Sequence, residues 1–270
     1  MRKLEALLLA AVIAALPSMA LADGAGSALG VKQQAAARLG QDTRTLVVGS
    51  DIFIGDLVQT GAQGQVQIKF ADNTELVLGP SSALTIEDYL IRNDGSAGKL
   101  AVDILAGTFR FATGDSAKNR YTIGTPTGTI GVRGTEFDGW VNPVDGIGYI
   151  LRHGGIVDIC NDARVCDVLD DICEVGKIAP DGVAVLGDSR ESTGETRATY
   201  KRWFRYTENQ SSLMRQFWFA NARDCLNAEP GGPPIYEDDT NTGPGPMTPP
   251  VTPPVTPPVT PPITRGPLNP

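Results

Sequence analysis

Between residues 31 and 160 apolar and polar side chains alternate over short runs that end in turn residues. In Gln65–Phe70 the residues Val66, Ile68 and Phe70 share one face, and Gln65, Gln67 and Lys69 the other. Leu76 and Leu78, Leu84 and Ile86, and Leu100, Val102 and Ile104 repeat the pattern, and Phe109 and Phe111 follow Gly107. A period of two fits a pleated strand with one buried face and cannot place the same residues on one side of a helix. Ala71-Asp72-Asn73, Gly79-Pro80 and Asn93-Asp94-Gly95 punctuate the runs as turns. The expectation is an all-β body, either a sandwich or barrel or a short β-solenoid.

Both ends have a different composition. Arg2 and Lys3 precede the apolar run Leu7–Leu16, and Ala20-Leu21-Ala22 supplies small residues for cleavage, so residues 1–22 read as a secretory signal peptide. No later segment offers eighteen consecutive apolar residues, and the mature chain is expected not to be a transmembrane protein. From Thr248 the unit Thr-Pro-Pro-Val repeats, its fourth copy ending in Ile263. Such a proline density removes backbone donors and favours polyproline II, which makes residues 229–270 a disordered Pro-rich tail serving as spacer, docking segment or solubilising end. The full chain carries a net charge of −8, which argues against nucleic acid and anionic lipid as partners.

Four cysteines, Cys160, Cys166, Cys173 and Cys225, favour disulfides in an exported chain. Cys160 and Cys166 flank a short polar turn and are paired here across a hairpin. Cys173 is paired with Cys225, and the two other connectivities stay open. The spacings are not those of a zinc ribbon or finger, so no metal is expected. Residues 192–226 carry the one helical pattern, broken near Thr207–Ser212, with Trp203, Phe204, Phe217 and Trp218 on its apolar stripe. Those four aromatics form either a cap over the β body or a surface for a partner.

Residues 125–137, Thr-Pro-Thr-Gly-Thr-Ile-Gly-Val-Arg-Gly-Thr-Glu-Phe, look at first like a phosphate loop. They lack the Gly-Lys-Ser/Thr ending of a P-loop and the G-x-G-x-x-G of a dinucleotide site. Gly128, Gly131 and Gly134 suit tight turns or close backbone packing, and Arg133 and Glu136 read as a structural ion pair.

These blocks carry a family resemblance. Gly55-Asp56-Leu57-Val58-Gln59-Thr60-Gly61, the turn Ala71-Asp72-Asn73-Thr74, the step Leu78-Gly79-Pro80-Ser81-Ser82 and the 125–137 segment occur in the order found in the FecR domain, which they resemble over about residues 45–160. The resemblance implies a β-rich, solenoid-like periplasmic module that is not an enzyme. The family includes the periplasmic part of a regulator of iron-citrate uptake, which hears an outer-membrane receptor and controls a sigma factor. Neither the sigma-binding part nor a recognisable receptor-docking part is expected here, so the regulatory role does not carry over.

No catalytic constellation assembles from the sequence. The lone His153 stands in Arg-His-Gly-Gly and reads as a polar turn residue, Asp170-Asp171 reads as a solvated loop, and Ser81-Ser82 is not a nucleophile elbow. No cofactor is expected. The expected organisation is a signal at 1–22, a linker or first strand at 23–44, a FecR-like β domain at 45–160, a disulfide-linked segment with helices at 161–228 and the tail at 229–270. The expected role is that of an exported scaffold or signalling module with an envelope or membrane protein as partner, and cell-wall glycan as the alternative ligand.

Overall fold

The computed structural model describes residues 24–91, 97–117, 120–220 and 222–227, so the signal and tail assignments lie outside the described residues. The described part is mostly sheet. In chain order its strands are β1 (Gly24–Lys32), β2 (Ala35–Leu39), β3 (Asp42–Thr45), β4 (Asp51–Phe53), β5 (Leu57–Thr60), β6 (Gln65–Phe70), β7 (Glu75–Leu78) and β8 (Ala83–Ile91). They continue with β9 (Ala97–Ala112), β10 (Tyr121–Thr125), β11 (Gly128–Val141), β12 (Gly148–Asn161), β13 (Cys166–Leu169), β14 (Glu174–Ala179) and β15 (Gly182–Asp188). Helix α1 (Gly194–Trp203) and the short α2 (Arg205–Glu208) and α3 (Asp224–Asn227) follow.

One hydrogen-bonded sheet folds into two facing layers because three long strands pass from one layer to the other. The first half of β9 pairs with β8 and runs parallel to β10, while its second half pairs with β7 and β11. Strands β11 and β12 do the same: Ile130 opposes Ile159 in one layer, and Trp140 opposes Tyr149 in the other. The upper layer therefore runs β4-β1-β6-β7-β9-β11-β12-β14-β15, and the lower one runs β3-β2-β5-β8-β9-β10-β11-β12-β13. This is a sandwich with solenoid-like crossings.

The core is what the alternation implied. Val66, Ile68, Leu76, Leu84, Val102, Phe109, Ile130 and Ile159 are all fully buried between the layers. Phe111 of the upper layer meets Tyr121 of the lower edge-on at 5.9 Å, and Phe70 meets Tyr89 at 5.6 Å. Each such aliphatic or aromatic side chain contributes roughly 1.5–3 kcal/mol. The stretch expected at 23–44 as linker or first strand is, from Gly24 on, woven into the sheet as β1–β3, with β1 between β4 and β6. After Cys160 the sheet continues through β13–β15 before any helix begins.

Residues 194–227 cover the outer face of the upper layer. Two small clusters seal them there. Phe204, Tyr200, Cys225 and Leu226 pack on Leu151 and Val175, and Tyr206, Leu213 and Phe217 pack on Val77. Among the described residues after α1, helical structure is limited to α2, α3 and a 3-10 turn at Arg215–Phe217, where the sequence suggests a second longer helix. Backbone-to-sheet hydrogen bonds hold the intervening segment instead. Among the described residues no helix is long and apolar enough to cross a membrane.

Candidate functional site

The motif residues turn inward. Asp56, fully buried, receives both guanidinium nitrogens of Arg44 and the amide of Phe53 at 2.7 Å, which fixes the turn before β5. Asp72 is the hub of a second turn. Its carboxylate accepts the Thr74 hydroxyl at 2.9 Å, Ser116 at 2.7 Å, Tyr121 at 2.9 Å and Tyr89 at 3.2 Å, tying β8 and β10 to the β6–β7 hairpin. Burial is the main reason that the Tyr89 hydroxyl is held far above its ordinary pKa, with the Asp72 charge adding to it. Ser82 donates to the Thr108 carbonyl at 3.0 Å, and its amide donates to Thr60 at 2.9 Å. None of these groups is left over to work on a ligand.

The 125–137 segment is likewise frame. Gly134 (φ +65°) and Gly155 (φ +69°) sit back to back where β11 and β12 change layers. A Cβ on Gly155 would lie 2.1 Å from the Gly134 carbonyl oxygen. The left-handed backbone and the close approach both demand glycine. Gly128 packs with equal closeness against the Cys160 carbonyl, whereas Gly131 has ordinary room. The expected Arg133–Glu136 pair is not made. The layer change at Gly134 falls between the two residues, and Arg133 instead forks onto Asp158 of β12 at 2.7 and 2.8 Å.

The buried polar groups gather under the cap. Arg110 on β9 and Asp138 on β11 are register partners, joined at 2.6 and 2.8 Å with both side chains essentially unexposed. Arg110 also donates to Gln210 and to the Phe217 carbonyl, and its guanidinium lies 3.9 Å from the Phe219 ring centroid. His153 is not a turn residue. Gly154-Gly155 make a bulge inside β12 rather than its end, and His153 is a buried strand residue 3.0 Å from the Thr207 hydroxyl. Thr207 donates to Asp138, so toward His153 its oxygen accepts and the imidazole proton sits on Nε2. The other ring nitrogen is 3.7 Å from the Cys225 sulfur.

Burial alone would raise the Asp138 carboxyl, but the Arg110 charge and hydrogen bonds hold it well below the usual carboxylate range. Burial is also the leading cause lowering His153, outweighing the pull of Asp138. The cluster is thus an ion pair beside a neutral imidazole, sealed from water.

The cap is pinned by side chains of the polar strand faces. Gln65 bonds the Ser212 carbonyl at 3.1 Å and accepts from Tyr206 at 3.1 Å, Gln67 accepts the Met214 amide at 2.7 Å, and Thr108 donates to the Trp203 carbonyl at 3.1 Å. Cys173 and Cys225 are disulfide-bonded and fasten its end; Cys160 and Cys166 are bonded across the β12–β13 hairpin. Of the four aromatics singled out in the sequence, Phe204 and Phe217 are buried and unavailable to a partner, because they fill the seam between cap and sheet. Trp203 and Trp218 are half-buried. Trp218 bonds the Leu213 carbonyl and lies under Arg215.

Two surface features remain. At one end of the sandwich β13 and β15 have no further strand beside them among the described residues, and Val165, Val168, Ile172 and Leu186 are exposed there. The second is a cleft of about 350 Å³ between α1 and the sheet, with Tyr149 and Leu186 on one wall and Glu195, Thr196, Thr199, Tyr200 and Trp203 on the other. Neither could be found from period or motif alone, since each depends on which strand ends last and how α1 lies. Asp170, Asp171 and Glu174 could each offer an oxygen to a cation, but Glu174 already accepts the amides of both aspartates.

Residues 56–154 match the family model described as FecR protein. No curated protein matches the sequence. Two crystal structures of a candidate anti-sigma factor from Parabacteroides distasonis are similar, each at 13% identity over 48% of this chain, with TM-scores of 0.39 and 0.38. The chain spans 57% of the length of those chains.

Proposed function

We propose that this protein is an exported, non-enzymatic interaction module of the cell envelope, in which the FecR frame presents the open β13/β15 end to a partner protein. A single observation carries the reading. Among the described residues, the polar side chains of the FecR-like motifs are hydrogen-bonded inside the molecule, and the β13/β15 edge presents exposed apolar side chains. Strand β15, Gly-Val-Ala-Val-Leu-Gly-Asp, has no lysine, arginine or proline to blunt it, and natural edges without such devices invite another strand. Leu186 at 46% exposure and Val168 at 42% would then fill pockets of the incoming segment, with main-chain bonds giving affinity and these side chains specificity.

Export is supported by two disulfides, which persist in oxidising compartments, and by the signal-like first residues. The family match supports a signalling or regulatory setting. The reading is tested with Leu186→Lys and Val168→Lys in the full chain, followed by co-purification of envelope proteins from intact cells. Loss of a specific partner with an unchanged thermal midpoint is expected; an unchanged partner set rejects the edge as the docking surface.

A further inference from the structure

The cleft beside α1 has a lining that packing does not explain. A helix lying on a sheet normally turns an apolar face toward it. Here the first two turns of α1 turn Glu195, Thr196 and Thr199 into the cleft, and only Tyr200 and Trp203 are aromatic. The polar face leaves an open space rather than a seam.

Its floor is preorganised. Trp140 and Tyr149 are cross-strand partners on the outer face of the upper layer, and their rings are 6.1 Å apart. Trp203 stacks on both, at 4.7 Å with an interplanar angle of 9° on Trp140 and at 4.2 Å on Tyr149. Rings on opposite sides of Trp203 would stand apart by nearly the sum of those two distances, so both lie on one side, and its other face turns away from the sheet. The result is a flat aromatic shelf and not a box. A quaternary ammonium needs ring faces converging on one centre, which this stack does not offer. No lysine or arginine lines the cleft, and the nearby Arg202 is bonded to the lining Thr199 hydroxyl at 2.8 Å, which disfavours phosphate or carboxylate.

We propose that this cleft binds an uncharged oligosaccharide, with the C–H face of one sugar ring on the free face of Trp203 and the edge of Tyr149 beside it. Its hydroxyls would donate to the Glu195 carboxylate and exchange hydrogen bonds with Thr196 and Thr199. The volume of about 350 Å³ lies at the small end of ligand sites, sufficient for one or two sugar rings with the rest of the chain in solvent. This site borders the β13/β15 edge, sharing Leu186 with it, but its sugar contacts come from α1 and the aromatic shelf, so it stands whether or not that edge takes a partner strand.

The test is a titration of the full chain with chitotetraose and with cellotetraose, read by tryptophan fluorescence and by calorimetry. Saturable binding of at least one sugar is expected below about 1 mM, weakened about tenfold or more by Trp203→Ala. Because Trp203 also packs, Glu195→Gln and Thr196→Val at exposed positions of the helix serve as second variants, each expected to weaken binding several-fold with an unchanged melting temperature. Absence of saturation by either sugar up to about 10 mM in natively folded protein overturns the proposal. So does undiminished binding in all three variants, or tighter binding of choline or of a Thr-Pro-Pro-Val peptide at the same shelf.

Discussion

Arg110 and Asp138 oppose each other in register on β9 and β11, and their fork of 2.6 and 2.8 Å hydrogen bonds lies wholly beneath the C-terminal cap. The pair faces away from the sandwich core, so it would stand in solvent if residues 194–227 were lifted. It is therefore a measure of how tightly the cap is seated.

Removing one partner leaves the other buried and uncompensated. Asp138→Leu or Arg110→Met is expected to cost about 3–5 kcal/mol, whereas the double change Arg110→Met/Asp138→Leu recovers part of that loss, Thr207 and His153 still lacking their partner. Urea unfolding of the two single variants and the double variant checks the coupling.

Two groups of the cluster set how stability depends on pH. The folded pKa of His153 is depressed below its unfolded value of about 6.5, so the unfolded chain binds the proton first. Its contribution is complete above pH 6.5 and is lost as pH falls from there, by up to about 1.4 kcal/mol per pH unit. Asp138 is also depressed, and its contribution holds until the pH drops below the ordinary carboxylate range. Unfolding at a series of pH values should show a decline starting near pH 6.5 in the native sequence. His153→Asn, once corrected for its own destabilisation, should be flat until the carboxylates titrate.

The two disulfides should differ in effect. Cys173–Cys225 closes a 52-residue separation and ties cap to sheet, and its removal as a double alanine variant should cost about 2–4 kcal/mol. Cys160–Cys166 spans only 6 residues of a hairpin that β12 and β13 already pair, so its loss should cost less. Hydrogen exchange distinguishes them: loss of the first bond should speed exchange in residues 194–227 and leave β8 and β9 protected.

Glycines of one motif should not respond alike. Gly155→Ala drives a Cβ into the Gly134 carbonyl at positive φ, and a loss above about 2 kcal/mol is expected. Gly131→Ala meets only Asp158 at 3.4 Å and should stay within about 0.5–1 kcal/mol. Thermal unfolding of the two variants decides it.

Period two in Gln65–Phe70 and its neighbours was enough to place the core faces, because those side chains answer only to local pleat and burial. The polar faces were a different matter. Gln65 and Gln67 are buried not by their own strand but by a segment more than 140 residues later, and nothing local marks that. His153 was misread for a related reason. Gly154-Gly155 has the composition of a turn, and only its opposition to Gly134 makes it a bulge in a continuing strand. Arg133 found Asp158 rather than Glu136 because a layer change separates two residues that are three apart in sequence. Phe204 and Phe217 match the stripe expected of a cap, and Trp203 alone of that stripe reaches a cleft, which follows from the tilt of α1 and not from spacing.

The central claim is that the protein works through its β13/β15 end and not through its hydrogen-bonded frame. The most direct measurement places a photo-crosslinking residue at Leu186 or Val168, and at Val144 and Val48 as exposed controls outside that edge, in the full chain in living cells. A discrete adduct of one size at Leu186 and Val168, absent at the two controls, is the predicted result. Adducts at the controls but not at the edge, or none at any position, would contradict it.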